Sequence, residues 1–111
     1  MPQYRMLALS RGRSGQDAAF NEWYDNTHIP ELLQIDGMQS AQRLRVAQRM
    51  QGGDGFDYAT IYEIEADNAV VAMQRIGEAA QAGRLTQSDL VDAENAVVVF
   101  LEEVGGKVTA D

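Results

Sequence analysis

His28 is the single histidine in this chain of 111 residues, and there is no cysteine. These two counts narrow the chemistry at once. An imidazole has an ordinary pKa near neutrality, so a lone histidine is the natural carrier of a proton in general acid–base catalysis. Without cysteine there is no thiolate nucleophile, no disulfide and no thiolate-held zinc. The acidic residues lack calcium-loop spacing, and no second histidine completes a metal set. Gly52-Gly53-Asp54-Gly55 lacks the Lys-Ser/Thr of a phosphate loop. Ser10, Ser14, Ser40 and Ser88 lie in no nucleophile-elbow context. No metal or other cofactor is expected.

His28 lies in the densest aromatic stretch of the chain, Phe20-Asn21-Glu22-Trp23-Tyr24-Asp25-Asn26-Thr27-His28-Ile29-Pro30. Trp23 and Tyr24 could stack on a flat ligand. Tyr58 and Tyr62, with Thr60 between them, share one face of a strand, where their hydroxyls could orient a phenol or enolate oxygen. Arg43 and Arg45 share a strand face and could bind a carboxylate. Each of these also has a plainer role. His28 could cap a helix end, the aromatics could fill the core, the tyrosines could form an amphipathic sheet face, and the arginines could pair with acids.

The elements that must position these residues follow from periodicity and punctuation. Tyr4 to Leu9 reads as a first strand. Ser14-Gly15-Gln16-Asp17 has a capping-box pattern, so a helix should begin near Asp17. Phe20, Trp23, Tyr24 and Thr27 then fall on one helical face. Pro30 disfavours helical geometry at Ile29 and should interrupt that helix, leaving His28 at its end. A second short turn would start at Pro30.

Asp36-Gly37 is a turn signal. Met38 to Val46 reads as a second strand, with Met38, Ser40, Gln42 and Leu44 on one face and Gln39, Ala41, Arg43 and Arg45 on the other. A flexible hairpin loop follows at Gln51 to Gly55, then a third strand from Tyr58 to Glu65. Asp67 or Asn68 can cap a second helix. Its buried face should carry Ala69, Met73, Ile76 and Ala80, and Gly83 should stop it. Arg84 to Glu94 is a connector with a turn of helix at Ser88 to Val91. Asn95 to Leu101 is a fourth strand, and Gly105 to Asp111 a loose tail. The expected organisation is therefore one domain over 1–104 and a flexible tail over 105–111.

The order β-α-β-β-α-β predicts an α+β, ferredoxin-like fold, a four-stranded antiparallel sheet with both helices on one face. The uncovered face should then be polar. Yet Ala96-Val97-Val98-Val99-Phe100-Leu101 is apolar on both faces, so something must cover the second one. A second copy of the chain is the simplest cover, and a homodimer is expected.

Composition excludes other classes. Seventeen acidic residues against nine basic ones give a net charge of −8, which repels nucleic-acid phosphates and anionic membrane surfaces. No run approaches the roughly 18 apolar residues of a membrane helix, and the N-terminus lacks the pattern of a signal peptide. A cytoplasmic location fits the absence of cysteine.

Phe20 to Leu32, with Ala41-Gln42-Arg43 and Tyr58-Ala59-Thr60-Ile61-Tyr62-Glu63-Ile64, resembles the dimeric α/β-barrel superfamily, in particular its EthD-like members. The shared pattern is Trp-Tyr, three residues, His, one residue, Pro, followed by a turn and a strand with Ala-x-Arg. The resemblance spans about residues 20 to 64. It implies two sheets packed face to face into a barrel with helices outside, and a cavity in each subunit between helices and sheet. It places His28 at that cavity with Trp23 and Tyr24 in support. Members of the superfamily include aromatic polyketide cyclases, muconolactone isomerase, cofactor-free monooxygenases and haem-degrading enzymes. The last carry their iron-binding histidine on the second helix, where this chain has none.

These readings lead to a small cofactor-independent enzyme acting on a hydrophobic aromatic or polyketide-like molecule. Its reaction would be cyclisation, dehydration or isomerisation. His28 and Tyr62 are the expected catalytic residues, with Trp23, Tyr24, Tyr58 and Arg43 contacting substrate. The alternatives are a non-catalytic homodimer, ligand-binding or structural, and a cofactor-free monooxygenase.

Overall fold

The computed structural model describes residues 2–111. In chain order it contains strand β1 (Gln3–Ser10), helix α1 (Asp17–Trp23), a π-helical turn (Tyr24–His28) and helix α2 (Ile29–Leu32). Strands β2 (Met38–Arg45) and β3 (Tyr58–Glu65), helix α3 (Ala69–Gln81) and strand β4 (Val97–Leu101) follow. The strands form one sheet in the order β2-β3-β1-β4, and every neighbouring pair is antiparallel. This is the expected ferredoxin-like arrangement.

Strand alternation sets the two faces of the sheet. On β1, Met6, Ala8 and Ser10 are buried, and on β3 Thr60, Tyr62 and Ile64 are buried beside them. The register pairs Met6 with Tyr62 and Ala8 with Thr60, so these residues form one surface beneath the helices. Leu32 and Ile35 close the core from the first helical segment, and Ala72 and Ala79 from α3.

Strand β2 departs from simple alternation. A register shift between Met38 and Ser40 marks a bulge at Gln39. The extra residue moves Met38 onto the same face as Ala41 and Arg43. Strict alternation had put Met38 on the opposite face from those two.

Several local expectations are corrected. Ser14 does not cap α1, whose N-cap is Gln16 with no side-chain bond. Ser14-Gly15 is instead a turn, with Gly15 at φ +79°. Asn68 does cap α3, its Oδ1 accepting from the Val71 N–H at 2.9 Å. The buried stripe of α3 is Ala72, Ile76 and Ala79, while Met73 and Ala80 face outward. Small alanines, and not the larger Met73, thus make up most of its inward face. Gly83 at φ +75° ends α3. There Arg84 N–H bonds Ala79 O at 2.9 Å and Gly83 N–H bonds Ala80 O at 3.1 Å, a Schellman closure.

The connector after α3 has no helical turn at Ser88 to Val91. Val91 forms an antiparallel bridge with Gly12. Arg13 N–H bonds Leu90 O at 2.8 Å, and Asp92 N–H bonds Arg11 O at 3.0 Å. A Cβ on Gly12 would sit 2.8 Å from Phe20 Cβ, so glycine lets the bridge lie against α1. Glu31 fixes the connector's start by accepting from the Thr86 N–H at 2.8 Å and its hydroxyl at 2.7 Å.

The sheet's other face carries a band of apolar side chains, with Arg5, Glu63 and Glu65 at one end. Leu44, Val97, Val99 and Leu101 are each 40–44% exposed, and Leu7 and Ile61 lie between them on the central strands. Residues 102–111 are exposed and carry no regular secondary structure.

Candidate active site

Pro30 does not stop the first helix. His28 and Ile29 keep right-handed helical dihedrals, with φ/ψ of −65°/−54° and −62°/−49°, and Leu33 N–H reaches Ile29 O at 3.0 Å. In a regular α-helix the proline ring would collide with the carbonyl four residues back, that of Asn26. The chain widens just before it instead. Ile29 N–H bonds Tyr24 O, five residues back, which is the π-helical pattern.

That widening builds the site. In an α-helix, residues five apart point about 140° away from each other. In the π-helical turn Trp23 and His28 come together, their rings stacked with centroids 4.7 Å apart and an interplanar angle of 22°. Tyr24 meets the same imidazole edge-on at 4.8 Å and 71°. His28 is thus held on one side by the residue four back and on the other by the residue five back.

These three side chains border a cavity of about 260 Å³ between the helices and the sheet. Met6, Ala8 and Tyr62 line it from the sheet, Leu32 and Ile76 from the helices. The connector roofs it with Leu85, Val91 and Ala96, and Val98 borders it on β4. The wall is almost wholly apolar and contains no charged residue other than the titratable His28.

Against that wall, a few polar atoms stand without partners among the described residues. They are His28 Nδ1, Tyr62 Oη, Ser10 Oγ and Trp23 Nε1, all buried. Burial lowers the His28 pKa below its ordinary value. The Glu31 carboxylate opposes that shift and the Arg43 guanidinium adds to it. Burial also raises the Tyr62 pKa, and the neighbouring Tyr24 phenol reinforces the rise. The Tyr24 and Thr60 hydroxyls are close enough to influence the Tyr62 proton, but neither meets its oxygen with hydrogen-bond geometry. At neutral pH the site therefore offers a neutral imidazole and a protonated phenol.

The structure brings His28, Tyr62, Trp23 and Tyr24 to this cavity. Tyr58 and Arg43 do not line it. The Tyr58 hydroxyl donates to Asp17 at 2.8 Å and accepts from Asn21 at 2.9 Å. Arg43 pairs with Asp25 at 3.0 Å. Its guanidinium lies 4.5 Å from the Tyr24 ring centroid, 4.8 Å from that of Tyr58 and 5.7 Å from that of Phe20. These contacts tie β2 and β3 to α1. Arg43 reaches the site only through Tyr24 and through its charge.

Sequence reasoning did not single out Ser10 or the connector residues. The signal for Ser10 was a polar residue on the inward face of β1, in step with Met6 and Ala8. The connector gave no periodic signal, because a bridge of one residue pair leaves none.

Two solved structures share this architecture. One is an EthD family protein from Bacillus halodurans C-125, 20% identical, with a TM-score of 0.66 over 92% of this chain and 99% of the other. The second is a candidate monooxygenase from Shewanella loihica PV-4, 10% identical, with a TM-score of 0.67 over 95% and 97%. The EthD-like resemblance read from residues 20 to 64 thus holds for the fold. No curated protein sequence matches. A family profile described as a domain of unknown function, DUF4286, matches residues 13–87, from the loop after β1 to just beyond α3, and the chain belongs to that family.

Proposed function

We propose that this protein is a small enzyme that moves a proton on a hydrophobic aromatic or polyketide-like molecule bound in the cavity, with no cofactor. The observation that carries this reading is that His28 and Tyr62 border one apolar cavity, each with a buried polar atom, Nδ1 and Oη, that has no partner. Neutral His28 takes a proton from a carbon next to a carbonyl. The Tyr62 phenol donates a hydrogen bond to the enolate oxygen as charge develops there. His28 then returns the proton, to another carbon in an isomerisation or to a departing hydroxyl in a dehydration. Trp23 and Tyr24 hold the imidazole plane. A positioned base contributes about 10²–10⁴-fold, and an oxyanion donor about 10²–10³-fold.

Candidate phenolic ketones assayed with the wild type and His28→Ala test this reading, with circular dichroism to confirm folding. Turnover should fall by at least about 10²-fold, and unchanged turnover would overturn the proposal. The same base could deprotonate an electron-rich hydroquinone for direct reaction with oxygen. Oxygen uptake with a hydroquinone substrate distinguishes that reaction from isomerisation.

The proposal extends to a homodimer. Leu44, Val97, Val99 and Leu101 leave an apolar band on the outer sheet face partly exposed, and a second copy packed face to face would cover it.

A further inference from the structure

Ser10 borders the cavity and takes no part in the acid–base scheme. It is 5% exposed at the end of β1, its Oγ is buried without a partner, and it borders the same cavity as His28. A buried hydroxyl with nothing to bond costs stability. An inward serine following Met6 and Ala8 adds no packing that an alanine would lack. A ligand oxygen would remove that cost.

Charge complements this observation. The cavity wall contains no Lys, Arg, Asp or Glu. The nearby cation, Arg43, is held by Asp25 at 3.0 Å and lies over the Tyr24 and Tyr58 rings. The nearby anion, Glu31, is engaged by both donors of Thr86. A carboxylate entering the cavity would lose its water and find no counter-charge, which is unfavourable. The volume of about 260 Å³ falls just below the roughly 300–1,000 Å³ of sites for drug-sized ligands. It suits a flat molecule of one or two rings that can lie against the aromatic and aliphatic wall.

We propose that Ser10 is a ligand-anchoring residue and that the cavity selects an uncharged one- or two-ring molecule bearing a hydroxyl or carbonyl oxygen. This deepens the catalytic reading above by naming its substrate class, and it is tested by binding rather than turnover. The full chain and its Ser10→Ala variant are titrated calorimetrically with 2-naphthol, 2-naphthoate and naphthalene. In the wild type, 2-naphthol should bind at least tenfold tighter than 2-naphthoate. Ser10→Ala should weaken 2-naphthol about two- to tenfold, the effect of one neutral hydrogen bond, and leave naphthalene unchanged. Thermal melts of both proteins check that the variant is folded. Naphthoate binding as tightly as naphthol, an unchanged naphthol affinity in Ser10→Ala, or no binding of any probe would each overturn the proposal. If the binding pattern holds while His28→Ala keeps full turnover, the ligand class stands and the proton-transfer role of His28 falls.

Discussion

Replacing Tyr62 with Phe should raise stability while lowering activity. Tyr62 is fully buried, with 0% of its surface exposed, and its hydroxyl oxygen has no hydrogen-bond partner. The phenyl ring of Tyr62→Phe would occupy the same space against Met6 and the helices, so no cavity term arises beyond one missing oxygen. An unsatisfied buried polar group costs about 1–3 kcal/mol. Allowing for partial relaxation, the variant should gain about 1 kcal/mol in the ligand-free state. For a chain of this size that is roughly a 4 °C rise in Tm. Urea and thermal unfolding at pH 7–8, where the phenol stays protonated, measure it directly. Turnover should fall about 10²–10³-fold if the phenol supports a developing oxyanion. A loss of stability of about 1 kcal/mol, the worth of an ordinary intramolecular hydrogen bond, would show that Tyr24 or Thr60 does partner the hydroxyl. Unchanged turnover would remove Tyr62 from the chemistry.

Four further outcomes are expected. The buried His28 has its folded pKa depressed below 6.5, so as pH falls the unfolded chain takes up the proton first. Its contribution to stability is complete above pH 6.5 and is lost as pH falls through the folded value; His28→Gln should show a flatter urea midpoint between pH 8 and 5, and parallel profiles would refute this. Gly37→Ala places a Cβ 2.3 Å from Glu65 O at φ +92° and should cost about 2–4 kcal/mol in urea unfolding. Asn68→Ala removes the α3 cap and should cost about 1 kcal/mol by the same assay. Val99→Lys places a charge on the apolar outer sheet face and should convert a dimer to monomer in sedimentation equilibrium; a wild type that is already monomeric would refute the dimer.

The sequence alone determined the order of elements and the strand positions. The short apolar run of β1, the two-faced pattern of β3, glycines at Gly37 and Gly83, and the Asn68 cap are local signals, each set by interactions within a few residues. It also gathered His28, Trp23 and Tyr24 into one short segment, where the EthD-like resemblance set the two aromatics beside the histidine. The path of the backbone around Pro30 was decided by tertiary structure. Proline's local preference is to end a helix, but burial of Phe20, Tyr24 and Leu32 on one surface keeps the segment helical, and the clash is relieved by one wider turn. That turn stacks Trp23 on His28, a contact that α-helical spacing forbids. Tertiary structure also separated Arg43 and Tyr58 from the cavity that Tyr62 borders. Tyr58 and Tyr62 share a strand face, yet they lie four residues apart, about 13 Å along the strand, beneath different parts of the helical layer. Ser10 and the connector roof belong to the same class of information. Which distant segments meet across a cavity depends on long-range packing, and no period in the sequence records it.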